Sequence, residues 1–511
     1  MARAAHGPST AARRLGLALG IAALLATGCG STVATSQQQA AGQALGQTPS
    51  GGQLTGGQNP TGTTGGEVVP GQTTTASAGT TTLPGGGTQT GSAAGSGSGG
   101  APVTGPGSNT AKATGPIEIG FIGGKCSNCG AVLGSKYAQG AYSDTDFNRA
   151  MVNGLNARGG IAGRKIKPVY AEVDTASPDW SSDFQAACAT FTEDHHVVAV
   201  LGLSFAYMEN FASCLAKAGV VWINGGNSGG DKQVYRNNPK YFTNIAPTED
   251  VELLVSVTSA VEDGWVTPKS RLGILQADCP ADQRAYNNTL KPYLAAHHLN
   301  MVSNQTIKCV SGAQDDGNAV TFIQHAELQM RSDGVDNVII VGIPLILFAE
   351  NAESQQWHPK YLAFFGGAVY EPYLPPAQLA NIHGAGWLPS FDLNASHQPP
   401  LSPVQRTCRD LIVRGGADTP AAQYSQAFTA CDSVLLYARA VQAAGGDASP
   451  AAVTRQLDAL GTSYVSAMSL SGATTLGPGH HDAPAAYRSN TYSSSCSCFQ
   501  YAGPSRPFPK A

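Results

Sequence analysis

Charge is scarce in this chain. Asp, Glu, Lys and Arg make up 13% of its 511 residues, the formal net charge is −4, and the basic residues form no run. A nucleic-acid partner is therefore not expected, because such partners are met by a basic patch or stripe. Beyond residue 30 there is no stretch of 18 consecutive apolar residues, so nothing in that part is expected to span a membrane. The H-E-x-x-H spacing of zinc hydrolases is also missing. The histidine pairs His195-His196, His297-His298 and His480-His481 fall in loops or helix ends and read as surface or capping positions, and no metal or other cofactor is expected.

What the chain does have begins at its first residues. Arg3, Arg13 and Arg14 precede an apolar run from Leu15 to Ala26. That run fits the 7–15 residues of a signal peptide and falls short of the roughly 20 that a spanning helix needs. Leu25-Ala26-Thr27-Gly28-Cys29 resembles the bacterial lipobox. Residues 1–28 are thus expected to be a cleaved lipoprotein signal, and Cys29 the acylated residue that holds the chain to the lipid bilayer. Residues 29–115 are rich in Gly, Ser, Thr, Gln and Ala, with Glu67 and Lys112 their only charges. Such a segment buries no core and reads as a disordered tether with a span on the order of 50 Å.

Ten cysteines follow Cys29, an even number that argues for disulfides in an exported chain. Cys126-Ser-Asn-Cys129 and Cys496-Ser-Cys498 offer an alternative as two halves of a zinc site, but they lack the paired CxxC spacing of strong zinc modules.

From about residue 116 short β-branched runs alternate with amphipathic stretches, the pattern of parallel strands covered by helices on both faces. Ile117–Ile122, Lys165–Val173, Val197–Gly202 and Val220–Ile223 read as strands of one doubly wound lobe. Between the first two, Phe147, Ala150, Met151 and Leu155 mark one face of a helix. Arg271–Leu275, Met301–Val310, Val338–Gly342 and Tyr361–Phe365 read as a second set, with a helix near 281–296 and a long one carrying Tyr424, Phe428, Cys431 and Leu435. The fold class is α/β: two doubly wound parallel-sheet lobes joined by a hinge. Residues 116–246 are assigned to the first lobe, with 376–462 returning to it, and 247–375 to the second, with 463–511 returning to it. Ligands of open α/β sheets bind beyond the carboxyl ends of the strands.

Asn156-Ala157-Arg158-Gly159-Gly160-Ile161-Ala162-Gly163-Arg164-Lys165-Ile166 resembles the N-A-x-G-G-I-x-G-x-x-I segment of the leucine/isoleucine/valine-binding proteins, the type I periplasmic substrate-binding proteins of ABC importers. The resemblance spans about residues 116–503. It implies a non-enzymatic protein without catalytic residues, a cleft that closes on a small solute, and an ABC permease as partner. It further implies ligand contacts at the strand ends: Ser204, Phe205, Asn224, Asn227 and Ser228 in the first lobe, and Gln276, Ile343 and Glu371 in the second. Amino-acid-binding members carry a carboxylate after the strand that corresponds to Tyr361–Phe365. This chain has Gly366-Gly367 there, which turns the expectation from a plain branched-chain amino acid toward an amide, a carboxylate or another small polar compound. A 2-1-3 strand order would put Cys188 and Cys214 on helices of one face, Cys279 and Cys309 follow the ends of neighbouring strands, and Cys408 and Cys431 fall on consecutive helices, which leaves Cys126 with Cys129 and Cys496 with Cys498 as the expected remaining pairs.

The expected role is that of an extracytoplasmic capture protein: a monomeric, lipid-anchored solute-binding protein on the outer face of the cytoplasmic membrane that delivers its solute to an ABC permease. Two other readings stand beside it. One is a lipoprotein of the same fold that reports its ligand to a membrane receptor. The other is a hydrolase, since Gly226-Asn227-Ser228-Gly229-Gly230 matches G-x-S-x-G, although that motif needs a helix directly after the serine and residues 229–239 read as loop.

Overall fold

The computed structural model describes residues 115–125, 142–202, 208–226, 229–342, 345–364 and 366–509. The expected signal, Cys29, the tether and the Cys126/Cys129 pair lie outside these residues.

The first lobe is built on β1 (Ile117–Lys125), α1 (Asp144–Ala157), β2 (Ile166–Asp174), α2 (Trp180–Ala189), β3 (Ala199–Gly202), α3 (Glu209–Ala218), β4 (Val221–Asn224), α4 (Lys232–Asn237) and β5 (Tyr241–Thr243). Its five strands run parallel in the order β2-β1-β3-β4-β5. Ser143 starts α1 with a capping box, its hydroxyl accepting from Asp146 N while Asp146 reaches back to Ser143 N. The predicted stripe Phe147, Ala150 and Met151 is buried on the sheet. After α1 the chain reverses through Gly160 and Gly163, both at φ +82°, a conformation that favours glycine. Asn156 braces that reversal by donating to Ile166 O and accepting from Ile166 N.

The second lobe follows with α5 (Glu249–Glu262), β6 (Arg271–Ala277), α6 (Pro280–Ala285), α7 (Lys291–Ala296), β7 (Asn300–Ile307), α8 (Ala313–Ser332), β8 (Asn337–Val341), α9 (Leu345–Ser354), β9 (Lys360–Ala363), α10 (Gly367–Tyr370), α11 (Pro376–Leu379) and β10 (Ile382–Gly386). A π-helical turn, Tyr286–Leu290, joins α6 to α7, so the helix expected over 281–296 is interrupted by one turn of wider winding. Next come α12 (Pro389–Asp392), α13 (Pro403–Arg414), α14 (Tyr424–Ala443), α15 (Pro450–Asp458), β11 (Ala486–Ser493) and β12 (Cys498–Pro507).

The second sheet has seven strands in the order β12-β11-β10-β9-β8-β6-β7, parallel from β7 to β10 and antiparallel from there to β12. It therefore does not end at residues 361–365. The lobe boundary at 376 also needs correction: β10 pairs with β9, so the chain returns to the first lobe only after Gly386. Helices α13 and α14 then pack on α1, and α15 packs on α14. The α1–α13 contact is backbone-close, because a Cβ on Gly154 would lie 1.9 Å from Leu411 O.

Disulfides join Cys188 to Cys214, Cys279 to Cys309, Cys408 to Cys431 and Cys496 to Cys498. The first and third pin neighbouring helices, α2 to α3 and α13 to α14. Each of the three long-range bridges is worth roughly 3–4 kcal/mol in the chain-entropy account.

Candidate functional site

Three segments carry the chain between the lobes: 244–248, 387–402 and 459–485. They are bonded to one another. Trp387 Nε1 donates to Ile245 O at 2.9 Å and Leu470 N donates to Trp387 O at 2.8 Å. Thr243 N donates to His481 O at 2.9 Å, and Thr248 N to Asp482 Oδ2 at 2.9 Å. Asp432, buried in α14, gathers this hinge by accepting from Asn244 Nδ2, Tyr464 Oη, Ser466 Oγ and Ala467 N. His481 departs from its expected surface position. It is buried, stacked on Phe242, and hydrogen-bonded to Tyr241 O and Asp458.

The first-lobe wall is formed where β1, β3 and β4 end. Asp144, the first residue of α1, accepts from Gly124 N at 3.1 Å. Burial, with the Glu172 charge adding to it, pushes its carboxyl up to about 7 despite that bond. One turn further on, the amide group of Asn148 is buried with no hydrogen-bond partner at either atom among the described residues. Sequence reading missed both residues, because Asp144 reads as an ordinary acidic residue in the first turn of a helix and Asn148 as a polar position beside the stripe of Phe147, Ala150 and Met151.

The expected ligand residues divide into two groups. Ser204, Phe205, Asn227, Ser228 and Ile343 lie outside the described residues. Asn224, Gln276 and Glu371 are described, and each is already hydrogen-bonded within the protein. Asn224 donates to Tyr241 Oη at 3.0 Å and accepts from Gly226 N at 2.8 Å, which shapes the loop leading to Asn227 and Ser228. Gln276 donates to Asn304 and accepts from Gln283. Glu371 accepts from Phe499 N at 2.8 Å and Asn394 Nδ2 at 2.9 Å. After β9 a carboxylate does arrive from elsewhere in the chain: Asp392 accepts from Gly366 N at 2.6 Å, and also from Leu388 N and Tyr501 Oη. The segment after the G-x-S-x-G match is not all loop, since α4 begins at Lys232 behind the cap Asp231. That start still leaves Gly229-Gly230-Asp231 between Ser228 and the helix.

Two parallel-sheet lobes tied by three crossings agree with the sequence comparison: a family profile described as periplasmic binding protein matches residues 116–489. The chain belongs to the periplasmic binding protein family. No curated protein matches it. Its fold is that of solved type I solute-binding proteins. A possible leucine/isoleucine/valine-binding protein from Rhodopirellula baltica has a TM-score of 0.56 at 16% identity, over 78% of this chain and 98% of the other. A solute-binding protein of an ABC transporter from Rhodopseudomonas palustris, in complex with p-hydroxybenzoic acid, has a TM-score of 0.55 at 15% identity, over 77% and 98%. The branched-chain amino acid transporter substrate-binding protein of Streptococcus pneumoniae, in complex with isoleucine, has a TM-score of 0.50 at 17% identity, over 77% and 99%. Among the described residues no helix is long and apolar enough to cross a membrane.

In this periplasmic binding protein the lobes also touch away from the crossings. Arg284 of α6 forms two bonds to Asp231 of the first lobe, Nε to Oδ2 at 2.8 Å and NH2 to Oδ1 at 2.9 Å, and lies 3.5 Å from Glu209. These bonds and the nearby acidic charges hold the guanidinium more firmly charged than usual. Trp180 N donates to Ser311 O at 2.9 Å, and Val310 packs on the first-lobe core. Behind Arg284 the carboxyls of Glu249, Glu252 and Asp282 are buried close together, and burial followed by their mutual repulsion raises Glu249 and Glu252.

Proposed function

We propose that this periplasmic binding protein is the solute-capturing component of an ABC importer, taking a small polar organic compound between its lobes and presenting it to a permease in the cytoplasmic membrane. The reading rests chiefly on family membership together with the arrangement of a three-segment hinge and an ion pair, Arg284–Asp231, that spans the lobes. Ser204, Phe205, Asn227, Ser228 and Ile343 are proposed to line the solute, with Asn224 shaping the loop below them. Acylated Cys29 would hold the chain on the outer face of that membrane, and binding would leave the solute chemically unchanged.

The ligand class follows from charge. A buried ammonium is costly without an anionic partner. At the end of β9 the two nearest carboxylates, Asp392 and Glu371, already accept two or more protein hydrogen bonds each. We therefore favour an amide or a carboxylate over a plain branched-chain amino acid. The neighbours that hold p-hydroxybenzoic acid show that this fold accommodates aromatic acids as well as isoleucine.

A thermal-shift screen of the full chain carrying Cys29→Ser tests this reading, with amino acids, amides, and aliphatic and aromatic carboxylates as probes. A solute present at about 100 times its Kd adds about 2.7 kcal/mol to stability. An amide or carboxylate is expected to shift the melt. A strong shift by leucine or valine would overturn the ligand class, and conversion of the bound compound would overturn the binding role.

A further inference from the structure

We propose that reduction of the Cys496–Cys498 disulfide turns the tip of the β11–β12 hairpin into a three-ligand site, the two thiolates with His397, for one thiophilic cation of the Zn2+ or Cu+ kind. The proposal is independent of the solute cleft. Among the described residues these three form the one metal-capable group of His, Cys, Asp and Glu side chains, with ligand atoms all within 4.8 Å of one another. A tetrahedral zinc ion with Zn–S near 2.3 Å and Zn–N near 2.0 Å sets its donors about 3.5–4 Å apart, so the two sulfurs, bonded to each other in the disulfide, must part by side-chain rotation once it is reduced, while the imidazole is already within reach. Soft thiolate ligands select this class of metal over the hard cations.

The surroundings suit a metal better than they suit a bare disulfide. His397 Nδ1 lies 2.8 Å from Asn394 Oδ1. Donation there leaves the ring's lone pair on Nε2, the form a cation requires. Asn394 Nδ2 in turn donates to Glu371 Oε2 at 2.9 Å, and Glu371 Oε1 accepts from Phe499 N, the residue directly after Cys498. One carboxylate thus braces both the histidine loop and the cysteine hairpin, as second-shell groups do in metal sites. Gln500 Nε2 points at both sulfurs, 2.9 Å from Cys496 Sγ and 3.7 Å from Cys498 Sγ. A disulfide sulfur is a weak acceptor; a thiolate uses such a donor far better.

Among the described bridges this one closes the shortest loop. Its cysteines are two residues apart, against 23 to 30 for the other three, so it constrains the unfolded chain least. Cys496 is partly accessible at the hairpin tip while Cys498 is buried. A small dithiol reductant attacks Cys496 Sγ, the S–S bond breaks, and Cys498 leaves as a thiolate. The second reductant thiol then frees Cys496, and the reductant leaves as its own disulfide, having given two electrons. Binding of the cation releases the proton remaining on the Cys496 thiol, and any that Cys498 has taken up.

The test uses the full chain with Cys29→Ser, Cys126→Ser and Cys129→Ser, so that no other unpaired or CxxC thiol contributes. Limited treatment with dithiothreitol followed by alkylation and peptide mass mapping is expected to label Cys496 and Cys498 before Cys188, Cys214, Cys279, Cys309, Cys408 and Cys431. The reduced protein is then titrated with Co2+ as a spectroscopic probe. One equivalent is expected to give a thiolate-to-cobalt charge-transfer band that Zn2+ removes, and the oxidised protein none. His397→Ala lies on an exposed loop and is expected to weaken Co2+ binding at least tenfold, while Cys496→Ser/Cys498→Ser abolishes the band. Prior labelling of any other cysteine pair, a missing band in the reduced protein, an unchanged affinity in His397→Ala, or a band that survives in the double serine variant each overturns the proposal.

Discussion

Arg284 and Asp231 face each other across the two lobes, and the guanidinium meets the carboxylate through two parallel bonds of 2.8 and 2.9 Å. Asp231 also caps α4, accepting from Val234 N at 3.2 Å. Asparagine keeps a capping oxygen but not the charge. Asp231→Asn is therefore expected to raise the Kd of the cleft solute by about tenfold, the loss of roughly 1.4 kcal/mol from a charge-assisted bidentate pair. Isothermal titration of both proteins at two salt concentrations checks it, the difference shrinking at high salt.

Asp432 is the polar anchor of the hinge, with donors arriving from Asn244, Tyr464, Ser466 and Ala467. Asp432→Ala leaves those buried donors without an acceptor and is expected to cost about 3 kcal/mol. The midpoint of denaturant unfolding reads this directly. Asp432→Asn is expected to fall between the two, because the amide keeps one accepting oxygen.

His383 is buried in β10, 2.8 Å from Asp263, beside Ser489 and Arg506. Burial lowers its pKa, outweighing the pull of Asp263, so the imidazole is neutral in the folded protein. Burial alone would raise Asp263, but the Ser489 and His383 bonds hold it below the usual carboxylate value. The unfolded chain thus binds more protons on both groups. The histidine's contribution is complete above its ordinary pKa of about 6.5 and is lost as pH falls through the lowered folded value; that of Asp263 is lost at more acidic pH. Measured against His383→Gln, the wild-type protein is expected to lose stability as pH falls from 8 to 5, because the raised carboxyls of Asp144, Glu249 and Glu252, which act in the opposite sense, are common to both proteins.

Glu252 behaves in the opposite sense. Its carboxyl is raised by burial first and then by Asp282 and Asp482, and Oε1 has no hydrogen-bond partner among the described residues. A raised carboxyl lowers stability as pH climbs from the ordinary carboxylate pKa toward the folded value. Glu252→Gln removes that dependence and is expected to stabilise the protein at pH 7.5 by about 1 kcal/mol, with no gain at pH 4. Chemical unfolding at the two pH values distinguishes this from a simple packing effect.

Much of the scaffold was legible in the sequence, because β1 to β4, β6, β8 and the buried face of α1 carry local signals: β-branched runs, a 3.6-residue stripe and the Asn156–Ile166 turn. β10 was not. Ile382-His383-Gly384-Ala385-Gly386 has one β-branched residue and two glycines, and its strand character comes from pairing with β9 and β11. The site was less legible than the fold. Arg284 and Asp231 are 53 residues apart and their meeting depends on how the lobes sit, while Glu371, expected at the ligand, is bonded to Asn394 and Phe499 N, partners 23 and 128 residues away in the sequence.

Small-angle X-ray scattering of the full chain carrying Cys29→Ser, with and without the solute that most raises its melting temperature, tests the central claim most directly. Closure of two hinged lobes on one solute predicts a smaller radius of gyration on binding, and a weaker response in Asp231→Asn at the same solute concentration. A scattering profile that saturating solute leaves unchanged would contradict it.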